Sequence, residues 1–226
     1  MSAHLQREID RLRNKILSLS AFVEEDVRKA ARAVTDRDLT LAQQVIDLDN
    51  QIDTMEVDIE EDCLKILALH QPVAIDLRYI IAVLKINNDL ERIGDIAVNM
   101  AERASFLAIK EPMEMPIDFS RMVAIVQGML RKSIDSLVNS DVVLATEVIK
   151  SDDEIDSLNR ESYQLIQAKM KSDPARLDSY TQLLALSRHL ERIGDHATNI
   201  AEDVIYMVEG RIARHRTEPF GGDGGK

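Results

Sequence analysis

The chain has 226 residues, with 28 Lys and Arg against 40 Asp and Glu, and its formal net charge is -12. Such a surface repels phosphate backbones and anionic headgroups, which argues against direct nucleic-acid binding. Apolar residues make up 45% but aromatic residues only 4%, with 8 Gly, 5 Pro and no Trp, a composition suited to aliphatic helix seams rather than to a sheet sandwich.

The opening MSAHLQREIDRLRNK lacks the apolar core of a signal peptide. No run of about 18 apolar residues offers a membrane span, so a cytoplasmic protein is expected. Apolar spacings of three and four predict a first helix that stops at Thr35-Asp36-Arg37-Asp38, where Asp38 can cap the next helix. The second helix holds the lone cysteine, Cys63, in EDCLKILAL, read as a buried structural thiol. It stops at Gln71-Pro72, because proline removes a donor and disfavours helix in its predecessor. A third helix follows, and Glu111-Pro112-Met113-Glu114-Met115-Pro116 links it to a fourth. The fourth ends at Asn139-Ser140-Asp141, with Asp141 as the next cap, and the fifth ends at Asp173-Pro174. The sixth runs to about Gly210, and the tail ending PFGGDGGK is expected to be disordered.

These breaks fall twice in the same order because the chain is a duplication. VRKAARAVTDRDLTLAQQVIDLDNQID, starting at 27, lies without a gap over LRKSIDSLVNSDVVLATEVIKSDDEID, starting at 130. LERIGDIAVNMAE, from 90, lies over LERIGDHATNIAE, from 190, with ten of thirteen positions identical. The fold class is therefore all-α: two tandem three-helix antiparallel bundles, six long helices in all, side by side or end to end. The expected domains are 1–111 and 112–212, with 213–226 as the tail.

Polar residues recur at matching heights on these helices. Glu91, Asp95, Asn99 and Glu102 form one line on the third helix, and Glu191, Asp195, Asn199 and Glu202 repeat it on the sixth. The second and fifth helices add Asp49 with Asp53 and Asp152 with Asp156. Asp53 lies 19 residues before Pro72 and Glu91 lies 19 after it; Asp152 and Asp195 lie 22 before and 21 after Pro174. An antiparallel hairpin brings such pairs to one level. Converging carboxylates repel unless a cation neutralises them, and oxygen donors suit hard ions such as magnesium, manganese, calcium or iron. The competing reading is a solvated acidic face.

Gly94 and Gly194 sit in mid-helix, at a cost of about 1 kcal/mol relative to alanine, so a neighbouring helix or a bound group is expected to need the space. Asn88 corresponds to Arg188 and Glu56 to Asn159, so the second site is expected to hold less metal, or none. His196, which replaces Ile96, is read as a packing or surface residue.

Two tandem three-helix units, each carrying Leu-Glu-Arg-Ile-Gly-Asp-x-Ala-x-Asn-x-Ala-Glu, closely resemble the PhoU family of phosphate-uptake regulators over residues 1 to about 212. The resemblance implies a cytoplasmic negative regulator of phosphate uptake and of the phosphate-starvation response, acting by contacts rather than by catalysis. Its implied partners are the ATPase subunit of the phosphate ABC transporter (PstB) and the phosphate-sensing histidine kinase (PhoR), and a homodimer is common in the family. It also implies metal at Glu91 with Asp95 and at Glu191 with Asp195; Asp49, Asp53, Asp152 and Asp156 join them by the height argument. Magnesium, manganese, iron, zinc and nickel are not distinguished. A carboxylate-bridged di-iron enzyme needs Glu-x-x-His pairs, and none of the five histidines follows a glutamate at that spacing. The remaining alternative is a metal-free helical adaptor that docks through its acidic faces.

Overall fold

A computed structural model describes residues 3–210. Its order is α1 (Ala3–Asp36), α2 (Leu39–His70), α3 (Ala74–Ala108), α4 (Phe119–Asn139), α5 (Val142–Ser172) and α6 (Leu177–Glu209), with one 3₁₀ turn at Pro174–Arg176 before α6. The bundles lie side by side. α3 packs on α1, α2 and α6, and α6 packs on α3, α4 and α5, while α1 also touches α4. Among the described residues α2 and α5 meet only helices of their own bundle.

This arrangement explains the burial pattern. α2 buries the single seam Ala42, Val45, Ile52, Ile59, Cys63 and Ile66, spaced by threes, fours and sevens as one helix face requires. α3 faces three neighbours and buries a far wider surface, including Ile80, Val83, Ile86, Leu90, Ile93, Ala97 and Met100. Its buried polar residues Asn87 and Asp89 reach α2 and α6 respectively. Cys63 is fully buried, and burial first, then Asp62 and Glu60, pushes its thiol up to about 12, so it is an inert core residue.

The first and second helices of each bundle are joined by the same device. Arg37 (φ 55°) and Ser140 (φ 52°) adopt the left-handed conformation. The next residue then donates its backbone N–H back across the helix end, Asp38 to Ala33 at 3.1 Å and Asp141 to Ser136 at 2.9 Å. The same two aspartates cap the following helices: Asp38 Oδ1 accepts from the N–H of Thr40 at 2.8 Å, and Asp141 Oδ1 from that of Leu144 at 3.0 Å.

The bundles differ at one end. α1 has 34 residues and α4 only 21. The extra turns of α1 bury Leu5, Ile9 and Leu12 and set Arg13 over the Tyr79 ring at 5.7 Å. Both bundles still leave apolar side chains exposed at this end, Leu64, Leu69, Val73 and Ile75 in the first and Tyr163, Leu165 and Leu177 in the second. The expected tail, residues 1 and 2 of the first expected domain and residues 211 and 212 of the second lie outside the described residues.

Candidate functional site

The groove between α2 and α3, and its counterpart between α5 and α6, is set by a close approach at the mid-helix glycines. A Cβ on Gly94 would sit 3.2 Å from Ile52 Cδ1 and 3.3 Å from its Cγ2; a Cβ on Gly194 would sit 3.1 Å from Ile155 Cγ2. Ile52 and Ile155 occupy equivalent places in the repeat, so the neighbouring helix is what takes the glycine's space in both bundles.

That approach brings the acids of adjacent helices together. Burial, then Asp53 and Asp95, raises the Asp49 carboxyl above the usual range. Glu91 is raised by burial and by Asp95, with Glu56 and Asp53 adding to the effect and Arg92 opposing it. In the second bundle Asp152 is pushed to about 6 by burial, Asp195 and Asp156. Glu191 is raised by burial and Asp156, and Asp195 by burial, Glu191 and Asp156. Each cause is the desolvation or like-charge repulsion that disfavours ionised carboxyls. All eight acids singled out in the sequence therefore lie in the two grooves.

They do not converge on a point. Among the described residues no three Asp, Glu, His or Cys side chains gather closely enough to hold one ion. Arginines take some of the charge instead: Arg92 lies 3.5 Å from Glu91 and 3.6 Å from Asp95, and Arg160 lies 3.4 Å from Asp156. Asn99 donates to the backbone oxygen of Asp95 at 2.7 Å. Asn199 leaves the groove altogether and donates to Asp89 of α3 at 3.2 Å.

Three features escaped the sequence reading. Asp26 on α1 is 1% exposed, and its Oδ1 is buried with no hydrogen-bond partner among the described residues. Burial pushes its carboxyl to about 6, with Lys29 opposing and Glu25 and Asp49 adding to the rise. The signal was available, since Asp26 lies over Met129 in the repeat and interrupts an apolar line. Asn87 is fully buried and donates to Glu56 Oε1 at 3.2 Å; its counterpart Ser187 donates to Asn159 Oδ1 at 2.7 Å. The exchange of Glu56 for Asn159 is thus matched by that of Asn87 for Ser187. Finally, the α3–α6 seam is polar: His196 Nδ1 lies 2.8 Å from Asp89 Oδ1, and Lys85 Nζ lies 3.0 Å from Asp203 Oδ1. His196 is a packing residue that ties the bundles together.

By chemistry the groove of the first bundle fits a hard cation. Its donors are carboxylate oxygens, the type such an ion takes, although they are not gathered round one point; Glu91 Oε2, and Asp26 Oδ1 on the adjoining α1, are covered and without a hydrogen-bond partner among the described residues. The fold and groove define a class of protein: duplicated three-helix bundles with an acidic helix pair repeated in each half. The pattern of the PhoU domain matches residues 16–104 and 119–204. The phosphate-specific transport system accessory protein PhoU homologue of Aquifex aeolicus is 38% identical over 212 residues, covering 94% of this chain and 96% of that protein. The homologue of Pseudomonas aeruginosa is 38% identical, covering 95% and 89%. The crystal structure of PhoU from Pseudomonas aeruginosa superposes with a TM-score of 0.89, at 38% identity, over 91% of this chain and 99% of that one. The phosphate transport system regulatory protein PhoU from Streptococcus pneumoniae gives 0.82 at 26% identity, over 92% and 99%. The chain belongs to the PhoU family.

Proposed function

We propose that the protein is a cytoplasmic negative regulator of phosphate uptake and of the phosphate-starvation response, working by contact with the transporter's ATPase subunit and the sensor kinase. The observation that carries this reading is the match of both bundles, at nearly full length, to proteins named as accessory or regulatory parts of phosphate transport. No described helix is long and apolar enough to cross a membrane, which is consistent with an accessory subunit. The decisive experiment is deletion of the gene. Reporters of phosphate-starvation genes are expected to be switched on in phosphate-rich medium, and normal repression in the deletion strain would remove the assignment.

Divalent cations would act at the grooves by neutralising Asp49, Asp53, Glu91 and Asp95 in the first bundle and Asp152, Asp156, Glu191 and Asp195 in the second. A cation that binds only the folded chain stabilises it by about 2.7 kcal/mol at a hundred times its Kd. Manganese or magnesium is therefore expected to raise the melting temperature by several degrees. The rise shrinks in the double variant Asp95→Ala, Asp195→Ala; an undiminished rise would clear the grooves of metal binding. The spread of the carboxylates favours a second reading, a metal-free adaptor docking through acidic faces, and it wins if purified protein melts identically with cation and with chelator.

A further inference from the structure

The α3–α6 seam carries its charges unevenly. Lys85 and Asp89 on α3 meet Asp203 and His196 on α6, so the helices run antiparallel and cross near Ile93 and Ile193. The duplication shifts α3 onto α6 by 100 residues, which makes this crossing a pseudo-twofold axis. The axis carries Asp89 onto His189, Asp203 onto Arg103, His196 onto Ile96 and Lys85 onto Ala185. At one end of the seam two buried acids, Asp89 and Asp203, are each matched by a base from the opposite helix. At the other end the same two positions carry the bases His189 and Arg103, and the positions that would supply acids hold isoleucine and alanine.

The result is a concentration of positive charge with covered, unsatisfied nitrogens. Nδ1 and Nε2 of His189 and Nε of Arg103 are buried and without a hydrogen-bond partner among the described residues. Arg103 is the foremost of the charges acting on His189, followed by Arg192 and Arg188. Glu191 sits beside Arg188 and Arg192 and offsets part of their charge. Buried polar groups are nearly always satisfied, because an unmatched one has lost its water without gaining a partner. In a chain of net charge -12, two seam bases, His189 and Arg103, that face isoleucine and alanine where the other end of the seam has paired groups are a feature to be explained.

The geometry points to a binding site for a small tetrahedral oxyanion at the α3–α6 seam, held by the guanidinium of Arg103 beside His189, with Arg188 and Arg192 as further positive charges. Guanidinium groups present planar forks of N–H donors matched to phosphate or sulfate oxygens. An anion here would supply the counter-charge that Asp89 and Asp203 have within the chain at the other end, and it would tie α3 to α6 as those pairs do.

The test uses the full chain after chelator treatment, at constant ionic strength, so that cation binding in the grooves does not contribute. Inorganic phosphate is the probe, with sulfate as a second oxyanion and chloride as the control. Phosphate at millimolar concentration is expected to raise the melting temperature. Arg103→Gln is expected to weaken its affinity at least about ten-fold, the equivalent of about 1.4 kcal/mol. Ala185→Glu writes an internal acid opposite Arg103, the symmetry image of Lys85 opposite Asp203. It is expected to raise the melting temperature without phosphate and to cancel the phosphate effect. A local reading comes from the His189 ring resonance, assigned with His189→Gln, which is expected to move on adding phosphate to the unsubstituted protein. The proposal is overturned if phosphate and sulfate act no differently from chloride. It is also overturned if the His189 resonance stays fixed while the protein is stabilised, or if Ala185→Glu keeps the full response, since either places the anion elsewhere.

Discussion

Gly94→Leu is expected to destabilise the protein by about 3 kcal/mol, the upper end of the usual overpacking cost, lowering its melting temperature by about 6–12 °C for a chain of this size. The physical conflict is local. Alanine at this position gains about 1 kcal/mol of helix propensity and meets Ile52 at 3.2 Å, so Gly94→Ala is expected to change stability little. Leucine has to place three further carbons where the fully buried Ile52 already sits, and the helices must separate. Separation also moves Asp49 and Asp53 away from Glu91 and Asp95, so any cation-dependent stabilisation falls although no carboxylate has been changed. Ile52→Ala costs stability alone, because it leaves a cavity, but combined with Gly94→Leu it restores part of the loss. Neighbours that share one space show a coupling of about 0.5–3 kcal/mol in such a cycle. Additive losses in the double variant, measured by denaturant unfolding, would mean that the glycine is not there for Ile52.

The glycines show how much of this molecule its sequence discloses. Their recurrence 100 residues apart pointed to a close approach, and the prolines fixed a hairpin register that puts Asp49 beside Asp95, Asp152 beside Asp195 and Glu191 beside Asp156. Helix ends were legible because Asp38, Asp141 and the prolines act through local backbone chemistry. The relation between the bundles was not, because it depends on which face of α3 meets which face of α6, and both helices are apolar on more than one side. His196 looked like a lone polar substitution for Ile96, and only the antiparallel seam reveals Asp89 opposite it. Asp26 was hidden for a related reason. Its own helix gives it ordinary charged neighbours, Glu25 and Lys29, and nothing in local sequence says that its side chain is buried within reach of Asp49 on α2 rather than standing in water.

Asp26→Asn is expected to remove much of the pH dependence of stability below neutrality. In the folded chain the Asp26 carboxyl titrates near 6, against 3.8 for the free side chain. Between those values the native state binds more protons than the unfolded state, so stability falls as pH rises through the window, and the full penalty applies above about pH 6. A shift of this size corresponds to about 3 kcal/mol at 1.36 kcal/mol per unit. Asp49 and Glu91 in the first groove and Asp152, Glu191 and Asp195 in the second are displaced in the same direction, so mild acid is expected to stabilise this protein, opposite to a chain whose carboxylates are satisfied by salt bridges. Asparagine keeps the shape and discards the charge. At pH 8 the variant is expected to be more stable than the parent by up to about 3 kcal/mol, and at pH 4 the two converge. Unfolding in denaturant at pH 4, 5, 6 and 8 reads the difference, and parallel curves with a constant gap would show that Asp26 is not the titrating group. The same charge sets what a cation can do. Above pH 6 an ion in the first groove relieves the repulsion between Asp26 and Asp49, so its stabilising effect is expected to grow with pH in the parent and to grow less in Asp26→Asn. Met129 holds the equivalent place in the second bundle, so that groove has no such contribution, and the two halves of a duplicated chain are expected to differ in their hold on the same ion.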